Sequence, residues 1–505
     1  MSSSANTAPS PTTQPPADPP TDQAPDPTIA DLEPRPVWRH FAALNAVPRA
    51  SKREERVRGF VRRFGESLGL DTREDAVGNV IIRKPATAGR EGRPTVLLQG
   101  HVDMVHQKNA DTDFDFDREG IRMRLEGDWV DAEGTTLGAD NGIGVAMIMA
   151  VLADGGSVEH PPLEALFTVD EETGMTGAKG LEAGVLQARF MLNLDTEDDR
   201  ELTIGCAGGI DVTARGTYLP TLARPGAAGL RLTVSGLSGG HSGMDIHRGL
   251  GNANKILCRL LLALEDAGVQ LAEVDGGGLR NAIPREAKAL VAVGDGAHVR
   301  EQVALARAAL EAEYAATDPG LRVTVADAEA PTHVLPDDDR ARLLRAVQAC
   351  PNGIHRMSPE VEGLVQTSNN LARWRVADGE WEVLCLTRSS VDSEKLDEAT
   401  SVRAAFELVG GEVSYAGDYP GWAPRADSEL LRTMRAVYER RFGEAPLVEA
   451  CHAGLECGLV GAKYPGMEMI SFGPNIRGAH SPDERVQVSS VARVWGYLVE
   501  VLGVL

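Results

Sequence analysis

Six side chains in this sequence are of the kinds that hold divalent metal ions. Each closes an apolar run or sits in a glycine-flanked turn. His101 ends the stretch that begins Thr95-Val-Leu-Leu-Gln, and Asp140 lies inside Gly138-Ala-Asp-Asn-Gly-Ile-Gly144. Glu171 and Glu172 follow the run Leu163 to Val169, and Asp195 follows Phe190 to Leu194. His480 lies far downstream, in Gly478-Ala-His-Ser-Pro482, after a run ending at Phe472. Imidazoles combined with carboxylates make a typical zinc set. Adjacent carboxylates repel unless something offsets their charge, so one of Glu171 and Glu172 can bind metal while the other takes a proton from an activated water. The five ligands that remain are too many for one tetrahedral ion and suit two ions sharing a bridging carboxylate. In His101-Val102-Asp103, residues two apart on a strand face the same side. Asp103 can then accept the ring N–H of His101 and fix its tautomer while the other nitrogen binds metal. The glycines around Asp140 allow tight backbone geometry and close approach to an ion. Their spacing is not a dinucleotide fingerprint.

Such residues need strand ends to carry them, because in α/β sheets ligands bind beyond the carboxyl ends of the strands. The pattern supplies those ends. Val37 to Leu70 reads as helical, and Val77 to Ile82 as a strand. The apolar runs before His101, Glu171 and Asp195 read as buried strands, and Asn141 to Asp154 as an apolar helix. Strands alternating with helices argue an α/β domain with a mixed sheet. From about Gly208 the texture becomes that of an α+β insertion, with half-buried strands at Val212–Gly216 and Leu230–Val234 and an amphipathic helix from Asn252 to Ala267. Near Tyr419-Pro-Gly-Trp-Ala-Pro424 the chain returns, and a helix from Ser428 to Phe442 with a strand at Met467 to Phe472 completes the first domain. The expected organisation is a tail over 1–33, a first domain in two parts over 34–207 and 417–505, and an inserted domain over 208–416.

Composition excludes several function classes. Against 51 basic residues stand 74 acidic ones, a formal charge of −23, which disfavours nucleic acid and anionic membranes as partners. None of the six cysteines forms a C-x-x-C pair, so reduced thiols in a cytoplasmic protein are expected. The first 33 or so residues are rich in Pro, Ser, Thr, Ala and Asp without an apolar core, the composition of a disordered tail rather than a secretory signal. No run approaches the roughly 18 apolar residues of a spanning helix. A serine or cysteine hydrolase is disfavoured, since there is no G-x-S-x-G elbow and no cysteine has an evident base.

Seven stretches in order carry a family resemblance: LQGHVDMV (98–105), TTLGADNGIG (135–144), FTVDEETGMTGA (167–178), LNLDTED (192–198), SGGHSGMDIHRGLGNANK (238–255), CHAGLECG (451–458) and GPNIRGAHSPDERV (473–486). Together they resemble the aminoacyl-histidine dipeptidases, in the zinc superfamily that also holds aminoacylases and carboxypeptidases. The resemblance implies a di-zinc aminopeptidase-like catalytic domain with an inserted lid. It implies two Zn²⁺ per subunit, with Mn²⁺ or Co²⁺ as alternatives. His101 and Asp195 would hold one ion, Glu172 and His480 the other, and Asp140 would bridge them, with a cis peptide at Asp140–Asn141. Glu171 would be the general base and Asp103 the orienter of His101. His241 would stabilise the oxyanion, in its own active site or a partner's. Arg388 and Asn281 would bind substrate, Arg388 gripping its carboxylate. A small peptide substrate and a homodimer are implied as well. His247, His452 and Glu456 sit in matching stretches without an assigned role. His106 stands where the family has proline and Met244 where it has glycine, which bears on substrate preference more than on reaction type. An N-acyl amino acid deacylase on the same metal core, and a relative that binds metal without catalysis, are the alternatives.

Overall fold

Strand Val96–His101 is buried along its whole length, and so are Leu163–Thr168 and Phe190–Asn193. Continuous rather than alternating burial means that both faces of the sheet are covered. In this computed structural model, which describes residues 27–505, the three strands run parallel. Gln99 stands opposite Leu166 on one side and Asn193 on the other. Their carboxyl ends therefore finish nearly level, at His101, Thr168 and Asn193. They form the centre of an eight-stranded mixed sheet whose order is Asp71–Glu74, Val80–Lys84, Leu163–Thr168, Val96–His101, Phe190–Asn193, Glu468–Ser471, Glu201–Cys206 and Leu447–Cys451. The α/β class with a mixed sheet is the one the sequence predicts.

Helix Ala139–Ala153 packs on the His101 strand and is buried on nearly every side, as its unbroken apolar run requires. Glycine sets how close it comes. A Cβ at Gly100 would lie 2.3 Å from Asn141 Oδ1, and one at Gly144 would lie 2.4 Å from the Leu194 carbonyl oxygen. Helices Arg35–Asn45, Glu429–Phe442 and Val488–Val504 contribute to the same core. A small sheet of Met123–Glu126, Trp129–Ala132, Arg485–Gln487 and Ile476–Arg477 brings the chain round towards His480.

A second, nine-stranded sheet begins with Gly208–Thr217 and ends with Glu412–Tyr419. These first and last strands pair with each other, Gly209 opposite Tyr419, and Cys206 bridges to Trp422 just outside them. Helices Ala253–Ala263, Gly296–Glu313, Asp337–Ala349 and Asp392–Glu407 cover this sheet around a core of its own. Among the described residues no helix is long and apolar enough to cross a membrane. All six cysteines are free thiols.

Two expectations are corrected. The helix predicted over Val37–Leu70 is two, Arg35–Asn45 and Glu55–Ser67. Pro48 lacks the N–H a continuous helix needs, and the break leaves Arg49 and Ser51 free to turn inwards. The predicted tail lies mostly outside the described residues, but its end is folded: Pro27–Ala30 is a helical turn whose Ile29 is buried in the first core.

Arg49 is 1% exposed. It donates to the carbonyls of Val102 and Asp103 at 3.2 and 3.1 Å, to the Asn45 side chain at 2.8 Å and to the Gly138 carbonyl. It thereby ties the loop after the His101 strand to the turn before Asp140. Burial pulls its guanidinium down to about 10, opposed by the Glu484, Asp103, Asp140 and Glu172 carboxylates, so it stays charged at neutral pH. Arg49→Met strands several buried carbonyls, and leaving buried polar groups unpaired costs about 1–3 kcal/mol each. We expect a loss of about 3 kcal/mol or more in urea unfolding; an unchanged midpoint would show that the loops do not depend on Arg49.

Candidate metal centre

The three level strand ends and two loops deliver the predicted ligands to one place. His101 Nε2 lies 3.2 Å from Asp140 Oδ1 and 3.4 Å from Asp195 Oδ1. His480 Nε2 lies 3.2 Å from Asp140 Oδ2 and 3.0 Å from Glu172 Oε2. Asp140 thus faces a different imidazole with each oxygen, and the donors fall into two groups, His101–Asp140–Asp195 and Asp140–Glu172–His480. Ligand atoms on a tetrahedral ion with bonds near 2.0–2.1 Å are about 3.3 Å apart, the spacing seen in both groups.

Backbone geometry aims these residues. Asp170, at the end of the Leu163–Thr168 strand, has φ 52°, and His480 has φ 65°. Both are left-handed conformations that non-glycine residues rarely adopt. The Asp140–Asn141 peptide is cis, as the resemblance implies. The Asn141 side chain donates to the Leu194 carbonyl, one residue before Asp195.

A second layer of carboxylates holds the first. Asp103 is fully buried, with Oδ1 3.3 Å from His101 Nδ1. It accepts from the backbone N–H groups of Glu171 and Glu172 at 3.1 and 3.3 Å and from the Ser51 hydroxyl at 2.8 Å. One carboxylate therefore orients an imidazole and both glutamates. The strand stops at His101, so Asp103 reaches the ring from a loop rather than by strand alternation. Glu484 was missed by the sequence reading. Its two oxygens accept from four successive backbone N–H groups, those of Leu137, Gly138, Ala139 and Asp140, at 2.7–3.1 Å. It caps the helix that begins at Ala139 and locks the turn bearing Asp140. Its only sequence signal was its place two residues before the end of the run GPNIRGAHSPDERV plus a helix start far away in the chain, and only the fold connects the two.

The electrostatics call for cations. Hydrogen bonds to Asp140 and Glu172 push the His480 imidazole up to about 11. Burial works against a charge on His101, yet Asp195, Asp103 and Asp140 raise it well above the usual imidazole range. Burial also opposes ionisation of Asp140, but hydrogen bonds from both imidazoles hold its carboxyl well below the usual range. Burial, reinforced by Asp195, Glu456 and Glu172 against an opposing His101, pushes Glu171 well above the carboxylate range. Glu172 Oε1 and Asp195 Oδ1 are buried without a hydrogen-bond partner. A buried cluster so rich in carboxylates, with bare oxygens and imidazoles driven towards protonation, fits divalent cations, whose binding would displace those protons. Two further groupings lie within ligand distance: His101–Glu171–Glu172, which overlaps the pair above, and Glu54–Asp103–Asp170, which contains no histidine and has Lys52 3.4 Å from Asp170.

Of the other predicted residues, Arg388 is on the second sheet, while His241 and Asn281 belong to a separate two-stranded pairing and the loop leading into it. Gly240–His241 pairs with Ala282–Ile283, and the Ser242 N–H donates to the Asn281 carbonyl at 2.8 Å, which sets His241 beside Asn281. His241 Nδ1 accepts from the backbone N–H groups of Gly243 and Met244 at 3.2 and 3.0 Å. Its proton therefore sits on Nε2. Burial and Arg388 lower its pKa, so the ring is neutral. Arg388 is buried, donates from Nη1 to the Tyr419 hydroxyl at 2.9 Å and leaves Nε without a partner. His452 bonds Ser368 at 2.8 Å, and Ser368 stands opposite Arg388 on the neighbouring strand. The Asn281 side chain is exposed. No hydrogen bond or ion pair joins His241, Asn281 or Arg388 to the metal-ligand cluster among the described residues. Met244 places its sulfur 3.4 Å from that of Cys451, and His106 stacks edge-on against Phe116.

A sequence model of peptidase family M20/M25/M40 matches residues 97–503. The chain belongs to this family. The M20 match spans every member of the cluster, from His101 to His480. The chain is 43% identical over 478 residues to the cytosol non-specific dipeptidase of Escherichia coli (strain K12), covering 94% of this chain and 98% of that protein. Its fold is similar to the crystal structure of aminoacylhistidine dipeptidase from Vibrio alginolyticus, with a TM-score of 0.90, 43% identity and coverage of 94% and 98% of the two chains. Aminopeptidase PepT from Bacillus cereus ATCC 10987 shares the M20 fold at 16% identity and a TM-score of 0.56, over 94% of this chain and 98% of that one.

Removing two of the four N–H contacts of Glu484 tests whether it belongs to the centre. Glu484→Gln keeps one acceptor oxygen and turns an amide against the remaining N–H groups. Loss of such an outer support typically costs 10–100-fold in metal affinity. We expect a weakening of about that size in chelator competition, with helix content unchanged by circular dichroism; native affinity in the variant would separate the cap from the metal centre.

Proposed function

We propose that this peptidase is a cytoplasmic two-zinc dipeptidase that hydrolyses unblocked dipeptides, Xaa-His dipeptides among them. Identity of 43% over nearly the whole of a non-specific dipeptidase carries the reading. The two donor groups sharing Asp140 support the count of two ions. The cytosolic naming of that relative supports the compartment, and the resemblance extends the proposal to a homodimer, testable by sedimentation velocity.

In this reading His101, Asp140 and Asp195 would hold one cation and Asp140, Glu172 and His480 the other. When bound, such ions act as Lewis acids that acidify water and polarise a carbonyl oxygen. Glu171 is the residue beside them left free to move a proton. Its carboxylate takes the proton of the attacking water as the oxygen joins the carbonyl carbon, then delivers it to the amine nitrogen as the C–N bond breaks. Asp103 keeps Glu171 and His101 in place through the contacts described above. His241 Nε2–H is the donor for the carbonyl oxygen as negative charge develops there. Arg388, braced by Tyr419, offers its free guanidinium edge to the substrate carboxylate, with Asn281 beside His241. The substrate's ammonium group is drawn to the carboxylates of the centre.

The deciding assay is hydrolysis of an unblocked Xaa-His dipeptide and of its N-acetylated form. The native chain should cleave only the free dipeptide, lose activity to a chelator and regain it with zinc. Folded, metal-loaded Glu171→Ala should fall by at least about 10²–10⁴-fold. Turnover of the acetylated compound alone would replace the dipeptidase reading by a deacylase. For His241→Ala we expect kcat lower by about 10²–10³-fold with KM little changed. A change confined to KM would make His241 a binding residue instead.

A further inference from the structure

Beneath the metal centre lies a buried polar layer that the mechanism does not use. Gln99 precedes His101 by two residues, Asn193 precedes Asp195 by two, and Thr168 stands opposite His101 on the next strand, three residues before Glu171. Residues two apart on a strand share a face, so Gln99 sits directly behind His101, and Asn193 stands opposite Gln99 at the end of the strand that leads to Asp195. Asn193 Nδ2 donates to Gln99 Oε1 at 2.5 Å, and Gln99 Nε2 donates to the Thr168 hydroxyl at 3.1 Å. Both Gln99 and Thr168 donate to one atom, Oε2 of Glu456, each at 2.6 Å. Gln99, Thr168, Asn193 and Glu456 are all at most 1% exposed.

Glu456 comes from outside the strands, as the first residue of helix Glu456–Lys463. The helix N-terminus favours an acidic group there. Its second oxygen is buried without a partner. A buried carboxylate half-satisfied in this way is costly to keep, and an apolar residue would pack a sheet face against a helix at less cost. What Glu456 does that an apolar side chain does not is gather the donors of two strands onto a single oxygen. Gln99 carries the tie on to the third strand through Asn193.

We propose that Glu456 is a positioning residue of the metal centre: by clamping Gln99 and Thr168, and through them Asn193, it fixes the spacing of the three strand ends that carry His101, Glu171–Glu172 and Asp195. The clamp acts on spacing rather than on contact with substrate, and it gives the CHAGLECG segment a role. The inference builds on the proposed metal centre and dipeptidase function.

The test measures zinc affinity by chelator competition alongside kcat and KM for a dipeptide. Glu456→Gln keeps an acceptor oxygen for both donors and should stay within about threefold of the native chain. Glu456→Ala removes the clamp and should weaken zinc binding and lower kcat by about 10–100-fold each, with KM nearly unchanged. Thr168→Val removes one of the two donors with little change in shape; it should show a smaller loss of the same kind and add nothing to Glu456→Ala in the double variant. Native zinc affinity in Glu456→Ala overturns the proposal, as does equal impairment of Glu456→Gln and Glu456→Ala, which would assign the effect to charge. Should Glu456→Ala fail to fold, native zinc affinity in Thr168→Val overturns it. If the native chain cleaves no dipeptide, the functional reading falls, while the order of zinc affinities still decides the role of Glu456.

Discussion

Like charge packed out of water is the constraint that the rest of this structure answers. Asp140, Asp195, Glu171, Glu172, Asp103 and Glu484 converge within a few ångströms in a site where burial opposes the ionisation of several of them. Coulomb repulsion between such groups grows as the local dielectric falls, so the cluster persists only where opposite charge or N–H dipoles offset it. Each neighbour supplies one or the other. Arg49 is a fixed cation behind the centre, facing Glu484, Asp103, Asp140 and Glu172. Four backbone N–H groups satisfy Glu484, and two more together with a hydroxyl satisfy Asp103. Asp140, Glu172 and Asp195 are left to the two imidazoles, which they face. The residual negative charge therefore sits where cations would bind.

The same constraint explains the use of parallel strands. A parallel pair finishes in register, so residues from distant parts of the chain reach a common edge without long loops. Here Val96–His101, Leu163–Thr168 and Phe190–Asn193 each end within a few residues of a ligand. The remaining ligands come from a helix N-terminus and from a loop returning through the small sheet, both held by Glu484. A single carboxylate in sequence position 484 thus couples the Asp140 turn to the segment that bears His480, four residues before it.

How much of this was legible in the sequence depended on whether the information was local. The strand ends were readable because apolar runs stopping at His, Glu or Asp are a local pattern; the runs and glycine-flanked turns marked the candidate residues, and the family resemblance supplied the roles expected of them. The helix over Val37–Leu70 was read through its apolar positions, but the break at Pro48 mattered more, because it frees Arg49 and Ser51 to turn into the centre. Arg49 carries no local signal of burial, which rests on its contacts with the carbonyls of residues 102, 103 and 138. Glu484 passed unnoticed, and Glu456 stayed without a role, for the same reason. Each acts on backbone or side chains some 290–360 positions away in the chain, and an acidic residue near a histidine or a cysteine carries no sign of such a partner. Residues that touch an ion have a recognisable chemistry; residues that hold them in place are defined only by the fold.

The second sheet carries braced polar residues of its own, apart from the metal-ligand cluster. Arg388 lies on that sheet, and His241 and Asn281 lie on and beside the separate two-stranded pairing of Gly240–His241 with Ala282–Ile283, each of them braced there. His241 is fixed by the backbone of its own turn, the Asn281 loop by Asn370, which donates to the carbonyls of Arg280 and Ala282, and Arg388 by Tyr419. The brace on Arg388 lies on the last strand of the insertion, at the point where the chain passes back to the first sheet. The crossing is tightly fitted. A Cβ at Gly208 would lie 2.5 Å from the Gly421 nitrogen, and one at Gly205 would lie 2.7 Å from the Pro424 ring. Arg388 is thereby anchored to the junction rather than to the far side of the insertion.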